Sequence, residues 1–313
     1  MRLLFMGTPQ FAVPTLKKLL SSPYQVVAVV TQCDKRSGRG EGLCVPPVKR
    51  LALEYKIPVY QPERLNAEAW QSTIQALATD AAVVVAYGKI LPSWLFTLPQ
   101  YGAINLHASL LPKYRGAAPI HWAIAEGENI TGVTTMKIDA GLDSGDILLQ
   151  EKVDIGPDET TADLQERLAA VGSDLMLKTL DLLERHEIRP IPQDPKLATF
   201  ARLLKKSDGE LIWEQTSMQV YNRIHAFNPW PGTYTYLYGA LLRIWRATPV
   251  EFHDNTQTPG TLTHDSSLGA VVKCGQGALQ LQQVQLENRK KISAHDFLHG
   301  IRLPQSQSVL LGR

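Results

Sequence analysis

The first half of the chain alternates short apolar runs with stretches in which apolar residues recur at helical spacing. Apolar runs without polar alternation predict strands that are buried on both faces, and the amphipathic stretches between them predict helices. The predicted strands are 2–6, 25–31, 58–60, 81–86, 103–107, 132–138 and 147–153, and the predicted helices are 11–20, 48–56, 67–78, 119–126 and 160–186. This order is typical of an α/β domain, a Rossmann-like, mostly parallel sheet with helices on both faces.

The pattern changes after the last of these helices. Segment 190–208 opens with three prolines in six residues, which cannot continue a helix, and it predicts a linker. Beyond it, turn signals separate short strand-like runs, which predict a small antiparallel, OB-like β-barrel. The runs are 233–237, 241–247, 270–274 and 279–284. We therefore expect a first domain at 1–189, a linker at 190–208 and a barrel domain at 209–313.

Composition narrows the class of protein. The chain has 313 residues, of which 44% are hydrophobic and 20% charged, and no apolar run approaches the roughly 20 residues that cross a bilayer. The N-terminus lacks the apolar region of a secretory signal. The cysteines, Cys33, Cys44 and Cys274, are odd in number and match neither a disulfide framework nor a zinc site. We expect a cytoplasmic monomer with reduced cysteines and no membrane contact.

Charge is distributed unevenly, although the net charge is only +2. The segments 33–50 and 185–206 each hold an excess of lysine and arginine over acidic residues. Exposed basic loops are common on proteins that bind no nucleic acid, so charge alone leaves nucleic-acid contact open.

Several familiar motifs are missing. The turn at 6–11 has one glycine and a proline where a dinucleotide fingerprint has three glycines, so we expect neither a nicotinamide nor a flavin. The eight histidines predict no metal site. Neither a nucleophile elbow nor a phosphate-binding loop occurs.

Candidate chemistry remains at the strand that ends in His107. Asn105 and His107 are two residues apart in that strand, so they point to the same face just before a loop rich in proline and glycine. They offer a carboxamide donor and a titratable imidazole to one small volume. The carboxylate-rich segment 139–146 is the best third partner, although by itself it favours a tight hairpin whose aspartates accept from backbone donors.

Four short segments together resemble the signature of formyltransferases that use 10-formyltetrahydrofolate, namely 105–112, 115–116, Pro119 and 141–146. Within that family, the segments 5–9, 36–40, 83–92 and 226–231 are similar to the enzymes that act on initiator methionyl-tRNA. The resemblance implies transfer of the formyl group to the α-amino group of methionine on that tRNA, for translation initiation. It also implies that the first domain is catalytic and that the barrel binds tRNA.

Three other functions stay open on the sequence alone. A formyltransferase that acts on a nucleotide-linked amino sugar has the same chemistry with another acceptor. A glycinamide-nucleotide acceptor leaves the barrel without a task. An RNA-binding protein with an idle catalytic domain has no need of its catalytic side chains.

The resemblance implies that Asn105, His107 and Asp143 are the catalytic set. Asn105 and a protonated His107 are suitable donors to the oxyanion of the reaction, each worth about 3 kcal/mol if aligned, and Asp143 is suited to relay a proton. The residues implied for folate are Tyr87, Lys89, Ile90, Leu91, Ser109, Leu110, Leu111, Pro112 and Ala140. Those implied for tRNA are Lys35, Arg36, Arg39, Lys205 and Lys206.

Overall fold

A computed structural model describes residues 1–37, 42–65, 68–251, 256–305 and 307–312. The chain forms two compact units. The first consists of Met1–Pro119, Ile130–Asp154 and Gln165–Ala201, and the second of Ile120–Asn129, Ile155–Leu164 and Arg202–Arg313.

Eleven strands precede the second unit's sheet in the described part of the chain. They are β1 (Arg2–Gly7), β2 (Gln25–Val30), β3 (Lys35–Ser37), β4 (Gly42–Cys44), β5 (Val59–Tyr60), β6 (Ala81–Val85), β7 (Ala103–His107), β8 (Arg115–Gly116), β9 (Ile130–Lys137), β10 (Ile147–Asp154) and β11 (Phe200–Ala201). Seven of them form the main sheet in the order β10-β9-β7-β6-β1-β2-β5.

The centre of this sheet is parallel and fully buried. β1 pairs in parallel with β2 and with β6, and β6 pairs in parallel with β7. Every residue of β6 is buried, as its unbroken apolar run predicts. The chain proceeds from β1 to β2 on one side and later to β6 and β7 on the other, and open α/β sheets bind ligands at such a change of direction.

The other edge of the sheet is antiparallel. β9 runs antiparallel to β7 and β10 antiparallel to β9. Because β9 is reversed, the loop that follows it begins beside the start of β7, where the Ile138 amide donates to the Ala103 carbonyl at 2.9 Å.

Eight α-helices occur among the described residues. They are α1 (Val13–Leu20), α2 (Pro47–Glu54), α3 (Glu68–Gln75), α4 (Ser93–Thr97), α5 (Pro119–Ala125), α6 (Thr161–Glu184), α7 (Ser217–Phe227) and α8 (Ala294–Gly300). None of them is long and apolar enough to span a bilayer.

The second unit is built on an antiparallel, curled sheet, a half-barrel. Its strands are β12 (Thr233–Leu237), β13 (Ala240–Val250), β14 (Thr261–Asp265), β15 (Gly269–Lys273), β16 (Ala278–Leu286), β17 (Ile292–Ser293) and β18 (Ser308–Leu310), in the order β12-β13-β16-β15-β14-β18 with β17 beside β16. Trp213, Ile224 and Phe297 are buried in its core, so α7 and α8 both pack onto the sheet.

The predicted fold class is confirmed, with a mostly parallel α/β sheet followed by an antiparallel curled sheet. Helices α7 and α8 were not among the predicted elements. The boundaries at 189 and 209 stay predictions, and by its contacts the segment Gln165–Ala201 belongs to the first unit.

Candidate active site

β7 presents the first two candidate side chains. Asn105 and His107 lie on one face of the strand because they are two residues apart. His107 is 6% exposed, and Asn105 is partly exposed. Within the described residues the Asn105 carboxamide has no hydrogen-bond partner, so its amide hydrogens are free to meet a substrate oxygen.

The two ring nitrogens of His107 have different neighbours. Nε2 lies 2.9 Å from the carbonyl oxygen of Tyr114. Since a carbonyl only accepts, Nε2 is the donor in this bond. Nδ1 lies 3.7 Å from Oδ2 of Asp143. Any proton that His107 exchanges with Asp143 therefore passes through Nδ1.

Asp143 has a bonded carboxylate and an unusual backbone conformation. Its Oδ2 accepts from the backbone amide of Gly116 at 2.9 Å, and its backbone has φ of 47°, a left-handed conformation that aspartate tolerates better than most residues. The loop starts beside Ala103, yet its Asp143 carboxylate reaches His107. The loop therefore folds back over the face of β7 that carries Asn105 and His107.

The same loop contains a separate aspartate with a structural role. Asp139 accepts from the amide of Gly141 at 2.9 Å and from the hydroxyl of Ser144 at 2.9 Å. Gly145 approaches β9 so closely that an added Cβ would lie 1.9 Å from the Lys137 carbonyl oxygen. The prediction of a hairpin aspartate that accepts from backbone donors therefore applies to Asp139. The carboxylate of Asp143 faces the imidazole of His107.

Gln193 is the residue of this site that sequence reasoning missed. It lies in the predicted linker, and its Nε2 donates to the carbonyls of Asp143 at 2.9 Å and Gly145 at 2.7 Å. Its Oε1 accepts from Arg115. A proline-rich segment gives no local signal for such a long-range contact.

The loop after β7 contains four of the predicted folate residues, Ser109 to Pro112. Thr134 donates to the Ser109 carbonyl at 2.7 Å and accepts from the Leu111 amide at 3.2 Å. Gln150 donates to the Leu111 carbonyl at 2.9 Å. Side chains of β9 and β10 therefore fix the backbone of this loop, in which Ser109 and Leu111 are buried and Leu110 and Pro112 are partly exposed.

The other predicted folate residues follow β6, apart from Ala140, which is exposed on the Asp143 loop. The Tyr87 side chain is 2% exposed, and burial raises its pKa to about 12. Any contact of Tyr87 with a ligand therefore goes through its backbone. Lys89 donates to the carbonyls of Pro62 and Glu63, at 2.8 and 2.9 Å.

Ile90 is 96% exposed and forms, with Lys89 and Leu91, one side of a cavity of about 410 Å³. Both this segment and the Ser109 loop follow neighbouring parallel strands, so they lie at the same edge of the sheet.

Comparison with known proteins identifies the family. Residues 1–180 match the model of the family described as formyl transferase, and residues 203–302 match the model of its C-terminal domain. The chain belongs to the formyl transferase family. Together the two matches include most of both structural units.

Curated relatives are similar to this formyl transferase chain over nearly its whole length. The methionyl-tRNA formyltransferase of Geobacter sulfurreducens is 46% identical over 303 residues, which cover 97% of this chain and 95% of the relative. The methionyl-tRNA formyltransferase of Desulforamulus reducens is 45% identical over 313 residues, which cover 100% of this chain and 98% of the relative.

Solved structures share the fold at lower identity. The sugar 3N-formyltransferase WlaRD, crystallised with dTDP and 5-N-formyl-THF, has a TM-score of 0.66 at 16% identity, covering 93% of this chain and 99% of that one. HypX from Aquifex aeolicus in complex with tetrahydrofolic acid has a TM-score of 0.61 at 18% identity, covering 95% of this chain. This formyl transferase chain spans about half of the HypX chain, 47% of its length.

The residues predicted to bind tRNA are described in part. Lys35 is exposed on β3, Arg36 follows it in the same strand, and Arg39 lies outside the described residues. Lys205 and Lys206 are both exposed in the second unit. Their role in tRNA binding stays a prediction.

Two histidines of α8 form a close pair. His295 and His299 are four residues apart on α8, and their Nε2 atoms are 3.2 Å apart. This spacing is one that metal-binding helices use. Within the described ranges, however, no three histidine, cysteine or acidic residues are grouped so that they could hold a metal ion.

Proposed function

We propose that this chain transfers a formyl group from 10-formyltetrahydrofolate to the α-amino group of initiator methionyl-tRNA. The observation that carries the proposal is the 45 to 46% identity, over nearly the full length, to relatives named methionyl-tRNA formyltransferase. The match of both family domains supports it, because a single-domain formyl transferase would leave the second unit unmatched. A charged tRNA is made and used in the cytoplasm, so the proposal assigns the enzyme to that compartment.

The reaction needs little activation of the nucleophile. An α-amino group has a pKa of about 7.7 to 8.0 in model peptides, and the neighbouring ester of charged tRNA lowers it further, so much of the amine is neutral at pH 7. The amine nitrogen forms a bond to the formyl carbon, and the bond from that carbon to the folate nitrogen breaks. One proton moves from the attacking nitrogen to the folate nitrogen, and the formyl oxygen is transiently an oxyanion.

Asn105 is the proposed oxyanion donor. Its carboxamide has no partner among the described residues, so no protein hydrogen bond must break before it donates. Such a preorganised donor is worth about 3 kcal/mol of barrier.

His107 and Asp143 are the proposed proton carriers. The bond from Nε2 to Tyr114 fixes the ring, which leaves Nδ1 to hold the mobile proton between the reacting groups and Asp143. The carboxylate balances the charge that the ring acquires when it is protonated.

The alternative acceptor is a nucleotide-linked amino sugar. It rests on a fold likeness to WlaRD at 16% identity, whereas the tRNA proposal rests on nearly three times that identity over a comparable length. The identities therefore favour methionyl-tRNA.

A direct assay separates the acceptors. The purified protein is incubated with 10-formyltetrahydrofolate and with charged initiator methionyl-tRNA, charged elongator methionyl-tRNA or a dTDP-linked amino sugar. We expect formyl-methionine to be released after ester hydrolysis from the initiator reaction alone. Formylation of the sugar without formyl-methionine would establish the alternative, and no consumption of the folate in any reaction would overturn the proposal altogether.

A further inference from the structure

Gln193 connects the segment after α6 to the loop that carries Asp143. Its Nε2 donates to the carbonyl oxygens of Asp143 and Gly145, at 2.9 and 2.7 Å. Its Oε1 accepts from Nε and Nη2 of Arg115, at 3.0 and 2.7 Å. A primary amide has two donor hydrogens and one carbonyl oxygen, so every polar group of this side chain is used. The reversed orientation of the amide is excluded, because it would turn the oxygen towards two carbonyls.

Arg115 links Gln193 to the rest of the site. Arg115 is only 8% exposed and lies in β8 between two residues that contact the candidate catalytic groups. The carbonyl of Tyr114 accepts from His107 Nε2, and the amide of Gly116 donates to the Asp143 carboxylate. Three consecutive residues therefore hold His107, Gln193 and Asp143.

Backbone pairing fixes Gln193 from both sides. Before it, Ile191 exchanges two hydrogen bonds of 2.9 Å with Ile147 at the start of β10. After it, β11 pairs in parallel with β8, with Phe200 opposite Arg115. Residues 191–201 are thus part of the framework of the site and not a free connection.

We propose that Gln193 is a positioning residue for formyl transfer, which holds the Asp143 loop so that its carboxylate faces Nδ1 of His107. The inference rests on the proposed function of Asp143. The reason is local. Asp143 has a left-handed backbone within a loop that exposes Gly141 and Leu142, and such a conformation persists only where neighbours over-determine it. The Gln193 amide donates directly to the backbone carbonyl of Asp143.

Two variants distinguish the bonds that Gln193 makes to the loop from those that it makes to Arg115. Gln193→Ala removes both sets of bonds. Gln193→Glu keeps an acceptor for Arg115 but presents an oxygen to the two loop carbonyls. We expect both variants to lower kcat by about 10- to 100-fold, because a displacement of about 1 Å has this effect, with unchanged KM for folate and for tRNA. Gln280→Ala is the matched control, since it removes a 2.7 Å bond from a glutamine Nε2 to the Leu268 carbonyl in the second unit and should keep kcat.

A double-mutant cycle distinguishes positioning from general stability. If Gln193 acts through Asp143, Gln193→Ala should add less than about twofold to the loss in an Asp143→Asn background. An equal fold loss in both backgrounds would overturn the inference, as would a Gln193→Ala enzyme with the kcat of the unchanged protein.

Hydrogen exchange tests the same idea without a substrate. The peptide that covers 139–146 should exchange about tenfold faster in Gln193→Ala than in the unchanged protein or in Gln280→Ala. Unchanged exchange would overturn the inference even if kcat falls. If the protein without any substitution forms no formyl-methionine, the proposed function is overturned instead. The hydrogen-exchange rates would then still decide whether Gln193 holds the loop.

Discussion

Three residues around the candidate site have a left-handed backbone although none is glycine. They are Ala86, Tyr114 and Asp143, with φ of 47°, 60° and 47°. Each such residue costs about 1 to 3 kcal/mol, so it persists only where the surroundings hold it. At Tyr114 this backbone accompanies a carbonyl that accepts from His107, and at Asp143 a carboxylate that faces the same ring. Two of these three strained residues are thus the ones that contact the imidazole of His107.

Asp143→Asn tests whether the charge of the Asp143 carboxylate beside His107 is needed for proton transfer. The asparagine oxygen can still accept from the Gly116 amide, so the loop keeps its shape while the charge beside His107 is lost. We expect kcat to fall by about 10²- to 10⁴-fold with little change in KM or in the free energy of unfolding. The control is Asp174→Asn, which removes a carboxylate that is 64% exposed and pairs with Lys18. An Asp143→Asn enzyme with an unchanged rate would remove Asp143 from the mechanism.

The burial of His121, on α5, should make the stability of the protein depend on pH. Burial lowers the pKa of His121 to about 4, below its usual 6.5. Between these values the unfolded chain binds a proton that the folded chain does not, so this residue makes the protein less stable as the pH falls from about 6.5 to 4. The loss relative to His121→Gln, which does not titrate, should reach at most about 3 kcal/mol. Urea unfolding of both proteins from pH 7 to 4.5 measures it. A difference that is independent of pH would contradict the assignment.

The loop between β9 and β10 is the element on which the site depends most closely. It must leave β9 beside the start of β7 and return an aspartate to the far end of that strand. Gly145 permits this course because its backbone packs directly against the Lys137 carbonyl. The motif at 141–146 is therefore a requirement of loop geometry as well as of chemistry.

Gly145→Ala should disturb the loop more than the fold. The new Cβ would lie 1.9 Å from the Lys137 oxygen, so the loop must move, and overpacking of this kind typically costs about 1 to 3 kcal/mol. We expect kcat to fall along with the free energy of unfolding, measured in urea. Gly300→Ala is the control, because a Cβ there meets nothing within 4 Å and the residue ends a helix. Equal behaviour of the two variants would show that the loop tolerates displacement.

Sequence patterns predicted some elements well because the signal lies within the element itself. The central strands β1, β2 and β6 are almost continuous apolar runs. In β7, Asn105 and His107 interrupt such a run with polar groups at a spacing of two. Helices α7 and α8 were missed although each has a local signal. Thr216 and Gln219 form a capping box before α7, and the Ser293 side chain caps α8.

Other features have no local signal at all. The prolines of 190–208 predict an irregular backbone, but they do not indicate what that backbone contacts. Gln193 reaches Arg115 across 78 positions of sequence and Asp143 across 50. Such a contact depends on the folded arrangement of β8, β10 and β11, which the pattern of single segments does not contain.

Each of the two units has its own seven-stranded sheet. The candidate catalytic groups and Lys35 belong to the first unit, whereas Lys205 and Lys206 belong to the second. The net charge is only +2, so attraction of a nucleic acid by the whole molecule is weak, and the proposed binding of tRNA must depend on local groups.

This distribution leads to a prediction about salt. Each lysine that contacts a phosphate adds about one to the slope of log affinity against log salt concentration. Replacing Lys205 and Lys206 together by alanine should therefore lower that slope by about two for methionyl-tRNA, and Arg39→Glu should weaken tRNA binding further. Neither change should alter the KM for the folate, because the folate carries few charges and is expected in the first unit.

Lys17→Ala removes one exposed positive charge from α1 and is the control. Slopes measured by titration from low to physiological salt decide the matter. An unchanged slope in the Lys205 and Lys206 variant would exclude these lysines from the tRNA surface and leave the phosphate contacts to the basic segment around Arg39.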